Sequence, residues 1–320
     1  MKDIPIVSVE GLKKKYKDGT LAVNGISFKI EKGEIFGFLG PNGAGKTTTI
    51  NILTTLLKAT SGKVTIAGAD LNKNANEVRK KIGVVFQEPA LDGKLTALEN
   101  LDFHARLYGI PSERRSKRIN QVLKLVGLER LSKKLVQKFS GGMKRRLEIA
   151  RGLMHKPEIL FLDEPTLGLD VQTRYKIWEY IMKIKKEENM TIFLTTHYME
   201  EAEKVCERIA IIDNGKILRI GSPQDLIDKS CESVIIVKTK KKIKKSIDIL
   251  ELKKLNGKTL IKVKNTKKLT KVVGELMKNY EVEEISIHKP SLEEVFLNLT
   301  GRSIRENVIL KNNKKRGRFR

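Results

Sequence analysis

The apolar residues in the first two thirds of the chain gather in short, nearly continuous runs. Residues 35–39, 82–86, 159–162 and 191–196 form four of these runs. A continuous apolar run of this length is typical of a strand that is buried on both faces of a parallel sheet. A helical pattern over residues 48–57 follows the first run, so the sequence predicts an α/β core.

A helical periodicity with many charged residues occupies residues 88–155. Its apolar positions are Leu98, Leu101 and Leu107 in one segment and Ile119, Val122, Leu123 and Val126 in another. A further helix is predicted after residue 140, with the cations at 144–146 mostly outside its apolar face. That face consists of Met143, Leu147, Ala150 and Met154. The pattern predicts a helical subdomain inserted into the core.

The pattern changes again after residue 223. Strands are predicted at 234–237, 259–263 and 282–287, and a helix is predicted at 267–278. A last helix is expected to begin with a capping box formed by Ser291 and Glu294 and to stop at Gly301. We therefore expect a main domain over 4–225, a small α+β domain over 226–302 and a basic tail over 303–320.

Composition limits the class of protein. Hydrophobic residues make up 40% of the 320 positions, which is enough for a substantial core. No stretch approaches the roughly 20 apolar residues of a membrane-spanning helix, and no apolar signal region follows Met1. Cys206 and Cys231 have neither a metal-binding nor a redox spacing. These features favour a soluble protein in a reducing cytosol with two inert thiols.

The formal net charge of +26 is concentrated in two clusters, at 238–245 and 311–320. One interpretation is a solvated lysine-rich surface. A second is contact with an anionic membrane surface, and a third is contact with nucleic acid. Nucleic acid is the least favoured of the three, because no aromatic side chains for base stacking are interleaved with the charges.

Residues 40–47 form a complete phosphate loop between the first apolar strand and the helical pattern. The glycines allow a tight turn whose N–H groups converge on phosphate, and the next helix presents its positive end. Lys46 is expected to pair with the β and γ phosphates, and Thr47 to bind Mg²⁺. The nucleotide-binding set is Gly40, Pro41, Asn42, Gly43, Ala44, Gly45, Lys46, Thr47 and Thr48. The sequence therefore predicts a nucleoside triphosphate site.

Polar residues follow the other three predicted strands, where parallel strands present their carboxyl ends to a ligand. Asp163 is expected to hold Mg²⁺, and the neighbouring Glu164 to polarise the attacking water. Gln87 is a candidate contact for the metal or the water, and His197 a candidate sensor of the γ phosphate. Taken singly, these residues also fit helix-capping acids, a strand-end glutamine and a surface histidine.

Ser140, Gly141 and Gly142 open the helix predicted after residue 140. A serine hydroxyl and exposed N–H groups at a helix N-terminus make a second anion site. A chain with one phosphate loop has no evident use for a second site on the same nucleotide. We therefore expect two copies of the chain to share each nucleotide.

Together these motifs resemble the nucleotide-binding subunit of ABC transporters over roughly residues 4–225. The resemblance implies that Tyr16 stacks on adenine, which makes ATP the nucleotide, and that Asp170 belongs to a loop at the shared site. It also implies a homodimer in which ATP lies between the two copies and is hydrolysed with the help of Glu164, Lys46, His197 and Mg²⁺. The dimer is then expected to be a peripheral protein on the cytoplasmic side of the membrane, bound to a multi-span permease subunit. Met143 and Phe139 depart from the usual glutamine and leucine of the family.

The segments 289–297 and 139–147 resemble the drug-resistance (daunorubicin-type) branch of ABC exporters. That resemblance implies export of a drug, an antibiotic, a lipid or a polysaccharide, and a C-terminal segment that aids dimerisation or serves as a packing appendage. The alternative is a soluble ABC ATPase acting on ribosomes or nucleic acid. The expected fold is a P-loop NTPase α/β core of the ABC type, with an N-terminal antiparallel β subdomain, the inserted helices and the small α+β domain.

Overall fold

The computed structural model describes residues 4–230, 232–239, 243, 249–255, 258–263, 266–288 and 290–300. Cys231, most of the lysine cluster at 238–245, Gly301 and the basic tail lie outside the described residues. The chain forms two compact units, Met1–Ile220 and Gly221–Arg320. This boundary lies five residues before the expected one, because helix Pro223–Ser230 packs with the last helix of the second unit.

Ten strands build two sheets in the described residues 4–221. They are β1 Val7–Lys15, β2 Leu21–Ile30, β3 Ile35–Leu39, β4 Ser61–Ile66, β5 Ala69–Asp70, β6 Ile82–Val85, β7 Ile159–Asp163, β8 Thr191–Thr196, β9 Arg208–Asp213 and β10 Lys216–Gly221. The first sheet has the order β2-β1-β4-β5 and is antiparallel. The second has the order β10-β9-β3-β8-β7-β6. Its strands from β9 to β6 run parallel.

The parallel sheet explains the continuous apolar runs. Every residue of β3, β7 and β8 is buried, because a central parallel strand is covered on both faces. Strand β2 instead alternates between buried and exposed positions in its second half, as expected for a strand with one wet face. A shared core of both sheets contains the packed rings of Phe28, Phe36, Phe38, Phe161 and Phe193.

Seven helices belong to the described part of the first unit. They are α1 Lys46–Leu53, α2 Ala75–Lys81, α3 Ala97–Leu107, α4 Ser112–Leu125, α5 Gly141–Gly152, α6 Val171–Glu188 and α7 Met199–Val205. Helix α1 ends four residues earlier than the pattern predicted. Helices α3, α4 and α5 lie between β6 and β7 in the sequence and pack against one another. They form the inserted helical part, with α3 started by a capping box of Thr96 and Glu99.

The second unit contains a four-stranded antiparallel sheet and three helices among its described residues. These elements are α8 Pro223–Ser230, β11 Ser233–Thr239, β12 Ile249–Leu255, β13 Lys258–Val263, α9 Thr266–Asn279, β14 Val282–His288 and α10 Leu292–Thr300. The sheet order is β12-β13-β11-β14. Buried residues of α9, among them Leu269, Val272 and Leu276, share a core with Ile235 and Val237 of β11.

Some expectations about these elements were wrong. Strand β12 was not predicted, because its sequence carries charged residues at several positions. Leu107 was counted in an apolar stripe, yet it is 68% exposed in the structure. Oε1 of Glu294 lies 2.6 Å from Nε2 of His288, and the capping box expected from Ser291 and Glu294 stays a prediction. In the described residues, no helix has both the length and the apolarity needed to cross a bilayer.

Candidate nucleotide site

The phosphate loop connects β3 to α1 at the carboxyl edge of the parallel sheet. Two glycines are required there for space. A Cβ on Gly40 would lie 2.3 Å from the Ile212 carbonyl oxygen, and one on Gly45 would lie 2.4 Å from that of Ala22. Gly45 also has a φ of 101°, which side-chain-bearing residues rarely adopt. The loop can therefore hold this tight path only with glycine at both positions.

Lys46 is the first residue of α1, and its side chain folds back over the loop. Its ammonium donates to the carbonyl oxygens of Gly40 at 2.9 Å and Pro41 at 3.0 Å. The same nitrogen lies 3.2 Å from Oε1 of Glu164. Both side chains are almost completely buried, so each charge compensates the other in surroundings where an unpaired charge would be costly.

Glu164 follows β7 and is held in an unusual backbone conformation. Its φ is 45°, in the left-handed region that costs a residue with a side chain on the order of 1 kcal/mol or more. Its N–H donates to the Thr195 carbonyl at 3.2 Å and to the Thr195 hydroxyl at 3.0 Å. Its other carboxylate oxygen, Oε2, lies 3.0 Å from Nδ1 of His197. Strand β8 thus fixes both Glu164 and His197.

Asp163, the last residue of β7, is buried and accepts a hydrogen bond from the Thr195 hydroxyl. Burial raises the pKa of its carboxyl, and the charge of Glu164 acts in the same direction. The hydrogen bond from Thr195, the charge of Lys46 and a hydrogen bond from Thr47 oppose that rise in pKa. Asp163 thus ends β7 next to Glu164, and its role as a metal ligand stays a prediction.

Several predicted residues line one cavity of about 500 Å³. The lining consists of Ala22, Asn42, Gly43, Gly45, Lys46, Thr47, Thr48, Gln87, Glu164, Leu167 and His197. Tyr16 follows β1, is 39% exposed, and its hydroxyl lies 3.3 Å from the Thr48 hydroxyl. Its ring is thus next to the start of α1, where a base attached to loop-bound phosphates could meet it. The structure brings these parts together from five separate chain segments.

The predicted second anion site has a different character. Ser140 is the N-cap of α5, and its hydroxyl accepts the Met143 N–H at 3.3 Å. Ser140 and Gly141 are exposed, and neither lines the cavity above. Met143 has no amide side chain, so it cannot make the side-chain hydrogen bonds of the glutamine that is usual at this position.

Asp170 is also outside that cavity. It caps α6, and its carboxylate accepts hydrogen bonds from the Thr173 N–H at 3.0 Å and the Thr173 hydroxyl at 2.6 Å. These hydrogen bonds lower the pKa of Asp170. The N-terminal end of α6 lies against the Ser140 segment, because a Cβ on Gly142 would lie 2.4 Å from Cγ2 of Thr173. Asp170 thus borders the second anion site.

Several site residues were missed by sequence reasoning. Thr195 hydrogen-bonds to both Asp163 and Glu164, and its only sequence signal is a hydroxyl at the penultimate position of a strand. The buried Glu201 of α7 accepts hydrogen bonds from Thr166 at 2.8 Å and from Thr196 at 3.4 Å. It therefore ties the turn after Glu164 to the strand end before His197. No spacing rule in the sequence pairs these residues, because the contacts join separate segments.

Arg145 corrects the expectation that the cations at 144–146 point away from the core. It is only 7% exposed, and its guanidinium donates to the carbonyl of Gln87 at 3.0 Å. Arg146 lies over the ring of Tyr180, with 5.2 Å from Cζ to the ring centroid. Cys206 is buried as expected, and burial raises the pKa of its thiol, which agrees with an inert role.

Comparisons with known families agree with this geometry. Residues 23–167 match the ABC transporter family, and residues 221–300 match the family described as ATP-binding protein DrrA1-3-like, C-terminal domain. The linearmycin resistance ATP-binding protein LnrL of Bacillus subtilis is 40% identical over 94% of this chain and 100% of its own length. The Nod factor export ATP-binding protein I of Ralstonia nicotianae is 37% identical over 94% of this chain and 96% of that protein. The daunorubicin resistance ATP-binding protein DrrA3 of Streptomyces coeruleorubidus is 34% identical over 92% and 96%.

Solved structures match the first part of the chain. CbiO1 of Clostridium perfringens, part of the ABC transporter complex CbiONQ, has a TM-score of 0.66 and 32% identity over 69% of this chain and 90% of that one. The ATP-binding cassette MJ0796, solved as a dimer in a post-hydrolysis state with ADP and Pi, has a TM-score of 0.60 and 34% identity over 68% and 98%. The expected α/β fold of the ABC type is thereby confirmed.

Proposed function

We propose that this chain, which belongs to the ABC transporter ATP-binding proteins, powers export of a substrate through a separate membrane subunit. It is an ATPase of that family. Relatives named for linearmycin resistance, daunorubicin resistance and Nod factor export support export as the direction. We infer a drug, an antibiotic, a lipid or a polysaccharide as the class of substrate.

One observation carries the catalytic part of the proposal. Glu164 lies between Lys46 at 3.2 Å and His197 at 3.0 Å, at the edge of a cavity lined by the phosphate loop. A carboxylate at this place can accept a proton from a water that attacks the γ phosphate. Lys46 and His197 can then donate hydrogen bonds to the charge that develops on the phosphoryl oxygens.

The residues also fit a magnesium ion. The Thr47 hydroxyl, the Asp163 carboxylate and the Gln87 amide supply oxygen atoms, the donor type that Mg²⁺ prefers. In the described residues, no group of three or more histidine, cysteine, aspartate or glutamate side chains forms a metal cage. Such a cage is not needed, since Mg²⁺ is usually held by one or two carboxylates together with substrate phosphates. When bound, the ion neutralises phosphate charge.

A homodimer follows from the separation of the two anion sites. Ser140 and Gly141 are exposed and lie outside the cavity of their own phosphate loop. We infer that each ATP lies between the phosphate loop of one protomer and the Ser140 segment of its partner, with Asp170 beside the junction. Tyr16 would stack on the adenine. The dimeric MJ0796 cassette supports this arrangement.

The membrane partner is inferred to be a multi-span permease, which would place this chain on the cytoplasmic side of the cell membrane. Helix α3 supports a docking surface, because Phe103 is 59% exposed and Leu107 is 68% exposed. These two residues are four positions apart and so lie next to each other on the helix surface, and a contiguous exposed apolar patch marks an interaction site. The helix follows the Gln87 loop, so a partner bound there could respond to the nucleotide. An anionic membrane surface near the basic residues remains part of this proposal.

Purification of the tagged chain from detergent-solubilised membranes tests the proposal. We expect an integral-membrane protein in fixed proportion to the chain, with ATPase activity that changes when the two are reconstituted together. The double variant Phe103→Ser and Leu107→Ser should lose that partner while the isolated chain keeps its ATPase activity. Recovery with ribosomes or nucleic acid, abolished by nuclease, would instead favour the soluble alternative.

A further inference from the structure

The loop that carries Gln87 follows β6 and is held by side chains from another element. Arg145 of α5 donates to the Phe86 carbonyl at 2.6 Å and to the Gln87 carbonyl at 3.0 Å. One planar guanidinium thus binds two successive peptide groups, a geometry that lysine cannot reproduce. The backbone of Gln87 is therefore fixed to α5.

Two further α5 side chains hold the end of the same loop. The Ala90 N–H donates to Oε1 of Glu148 at 2.6 Å, and Arg151 donates to the Ala90 carbonyl at 2.8 Å. Arg151 and Glu148 also bind each other at 2.7 Å. The backbone N–H and C=O of Ala90 thus both form hydrogen bonds with one ion pair on α5.

Two of the three α5 side chains in these contacts are buried, whereas the loop residues from Gln87 to Ala90 are exposed. Arg145 is 7% exposed and Glu148 is 1% exposed. Hydrogen bonds from charged groups are stronger than those between neutral groups, and more so in a low-dielectric setting. Positions 145, 148 and 151 follow a three-residue spacing, which keeps them on one side of the helix. The loop from Phe86 to Ala90 is therefore attached along one side of α5.

We propose that Arg145, Glu148 and Arg151 are positioning residues that make Gln87 move together with the helix that begins at Ser140. This inference rests on the proposed function, in which Ser140 binds the nucleotide of the partner protomer. A displacement of Ser140 by that nucleotide then shifts Gln87 in the cavity of its own protomer. Nucleotide binding at one of the two sites shared between the protomers thereby changes the position of Gln87 at the other.

A double-mutant cycle between Arg145 and Gln87 separates positioning from simple stabilisation. Arg145 binds the backbone carbonyl of Gln87, so Gln87→Ala leaves that bond in place and removes only the amide side chain. We expect Arg145→Met to lower kcat about tenfold with KM for ATP changed less than about twofold. In the Gln87→Ala background the same substitution should lower kcat less than about twofold. Equal factors in both backgrounds would overturn the proposal.

Arg146 gives the matched control. It is the next residue of α5 and also donates to backbone carbonyls, those of Val126 at 3.1 Å and Gly127 at 3.4 Å. Arg146→Met should therefore lower kcat by the same factor in the wild type and in the Gln87→Ala background. Arg145→Lys retains a charged donor for one of the two carbonyls, so its loss of turnover should be smaller than that of Arg145→Met. The cycle is run with Arg145→Lys if Arg145→Met does not fold.

Hydrogen exchange gives a second readout that does not need turnover. The amide of Ala90 should exchange faster in Arg145→Met and in Glu148→Gln than in the wild type, and at the wild-type rate in Arg146→Met. Unchanged exchange of this amide in the first two variants would contradict the proposal even where Gln87→Ala hydrolyses too slowly to measure. Failure of the proposed sharing of nucleotide between protomers would look different, because Glu164→Gln would then stay monomeric with ATP whichever residue stands at position 145.

Discussion

The phosphate-loop side and the Ser140 side of this chain present different kinds of polar group. On the first side, the Lys46 ammonium and the Glu164 carboxylate are buried and paired at 3.2 Å. On the second, a hydroxyl and backbone amides at the start of α5 face the solvent. Buried charges need a partner at all times, whereas neutral donors at a helix N-terminus are satisfied by water. The Ser140 side can therefore stay exposed to solvent, without an unpaired buried charge, until the proposed partner protomer brings its nucleotide.

The two sides are nevertheless connected within one protomer. Arg145 joins α5 to the Gln87 loop, and Gly142 lies against Thr173 next to Asp170. Neither Arg145 nor Thr173 is itself among the residues expected to touch the nucleotide. In this proposal, ATP hydrolysis and the coupling between the two sides depend on different residues. Substitutions can therefore change one without the other.

The largest effect is expected from Glu164→Gln, which acts on the phosphate-loop side. The glutamine keeps the shape of the side chain and its contact with Lys46 but cannot accept a proton. We expect kcat to fall by about 100- to 10,000-fold while ATP binding persists. Size-exclusion chromatography with ATP should then show a trapped dimer. Normal hydrolysis by this variant would remove Glu164 from its assigned role.

A second prediction concerns Gly142→Ala, which acts on the Ser140 side. The added methyl group would lie 2.4 Å from Cγ2 of Thr173, so the start of α5 must move away from α6. We expect ATP-dependent dimerisation in the Glu164→Gln background to weaken by about 10- to 100-fold, the equivalent of overpacking by 1–3 kcal/mol. Nucleotide binding by the single protomer should not change.

Thr173→Ser provides the rescue for that variant. Serine lacks the Cγ2 atom but keeps the hydroxyl that binds Asp170. The double variant Gly142→Ala and Thr173→Ser should therefore regain most of the dimerisation, and Thr173→Ser alone should behave as the wild type. A double variant as weak as Gly142→Ala would show that the contact with Thr173 is not the cause.

Ser140→Ala should have a smaller effect on the same side. It removes a phosphate donor and an N-cap, and a lost N-cap costs about 1 kcal/mol. We expect the dimer with ATP to weaken about five- to tenfold in the Glu164→Gln background, as measured by sedimentation. Lys46→Ala is the contrast, since it should abolish binding of ATP by the protomer itself. Similar loss of protomer binding in both variants would break the distinction between the two sides.

The smallest effect on activity is expected from His104 of α3, whose ring lies 4.9 Å from that of Tyr108. Burial lowers the pKa of His104 to about 4, and the charges of Arg151 and His155 act in the same direction. The unfolded chain therefore binds this proton near pH 6.5, whereas the folded chain binds it only near pH 4. Stability is thus fully present above pH 6.5 and is lost as the pH falls towards 4.

His104→Gln should remove part of this dependence and leave the ATPase activity at pH 7.5 unchanged. Allowing for the partly exposed ring, we expect the free energy of unfolding to fall between pH 7 and pH 5 by about 1 kcal/mol less in the variant. Urea titrations at the two pH values measure this difference. Identical losses in both proteins would assign the acid sensitivity to other groups.

Much of this molecule was predictable because its signals are local. The phosphate loop is a contiguous motif, β8 has the bounds that its apolar run predicted, and β7 ends one residue later than its run. The predicted α9 and β14 also appear, within a residue of each expected end. Strand β12 was missed, since a charged strand at a sheet edge has no strong pattern. The buried state of Arg145 was missed as well, because a cation next to an apolar helix face is normally assigned to solvent.

The sequence by itself determined which groups are available, namely a phosphate loop, two adjacent acids after a strand and a serine at a helix start. It also determined the alternation of strands and helices that places strand ends at one edge. Only the tertiary structure decided that Thr195 holds both Asp163 and Glu164, that Lys46 pairs with Glu164, and that Arg145 holds the Gln87 loop. These contacts join residues 30 to 120 positions apart, and side-chain packing in three dimensions, rather than any periodicity along the chain, selects such partners.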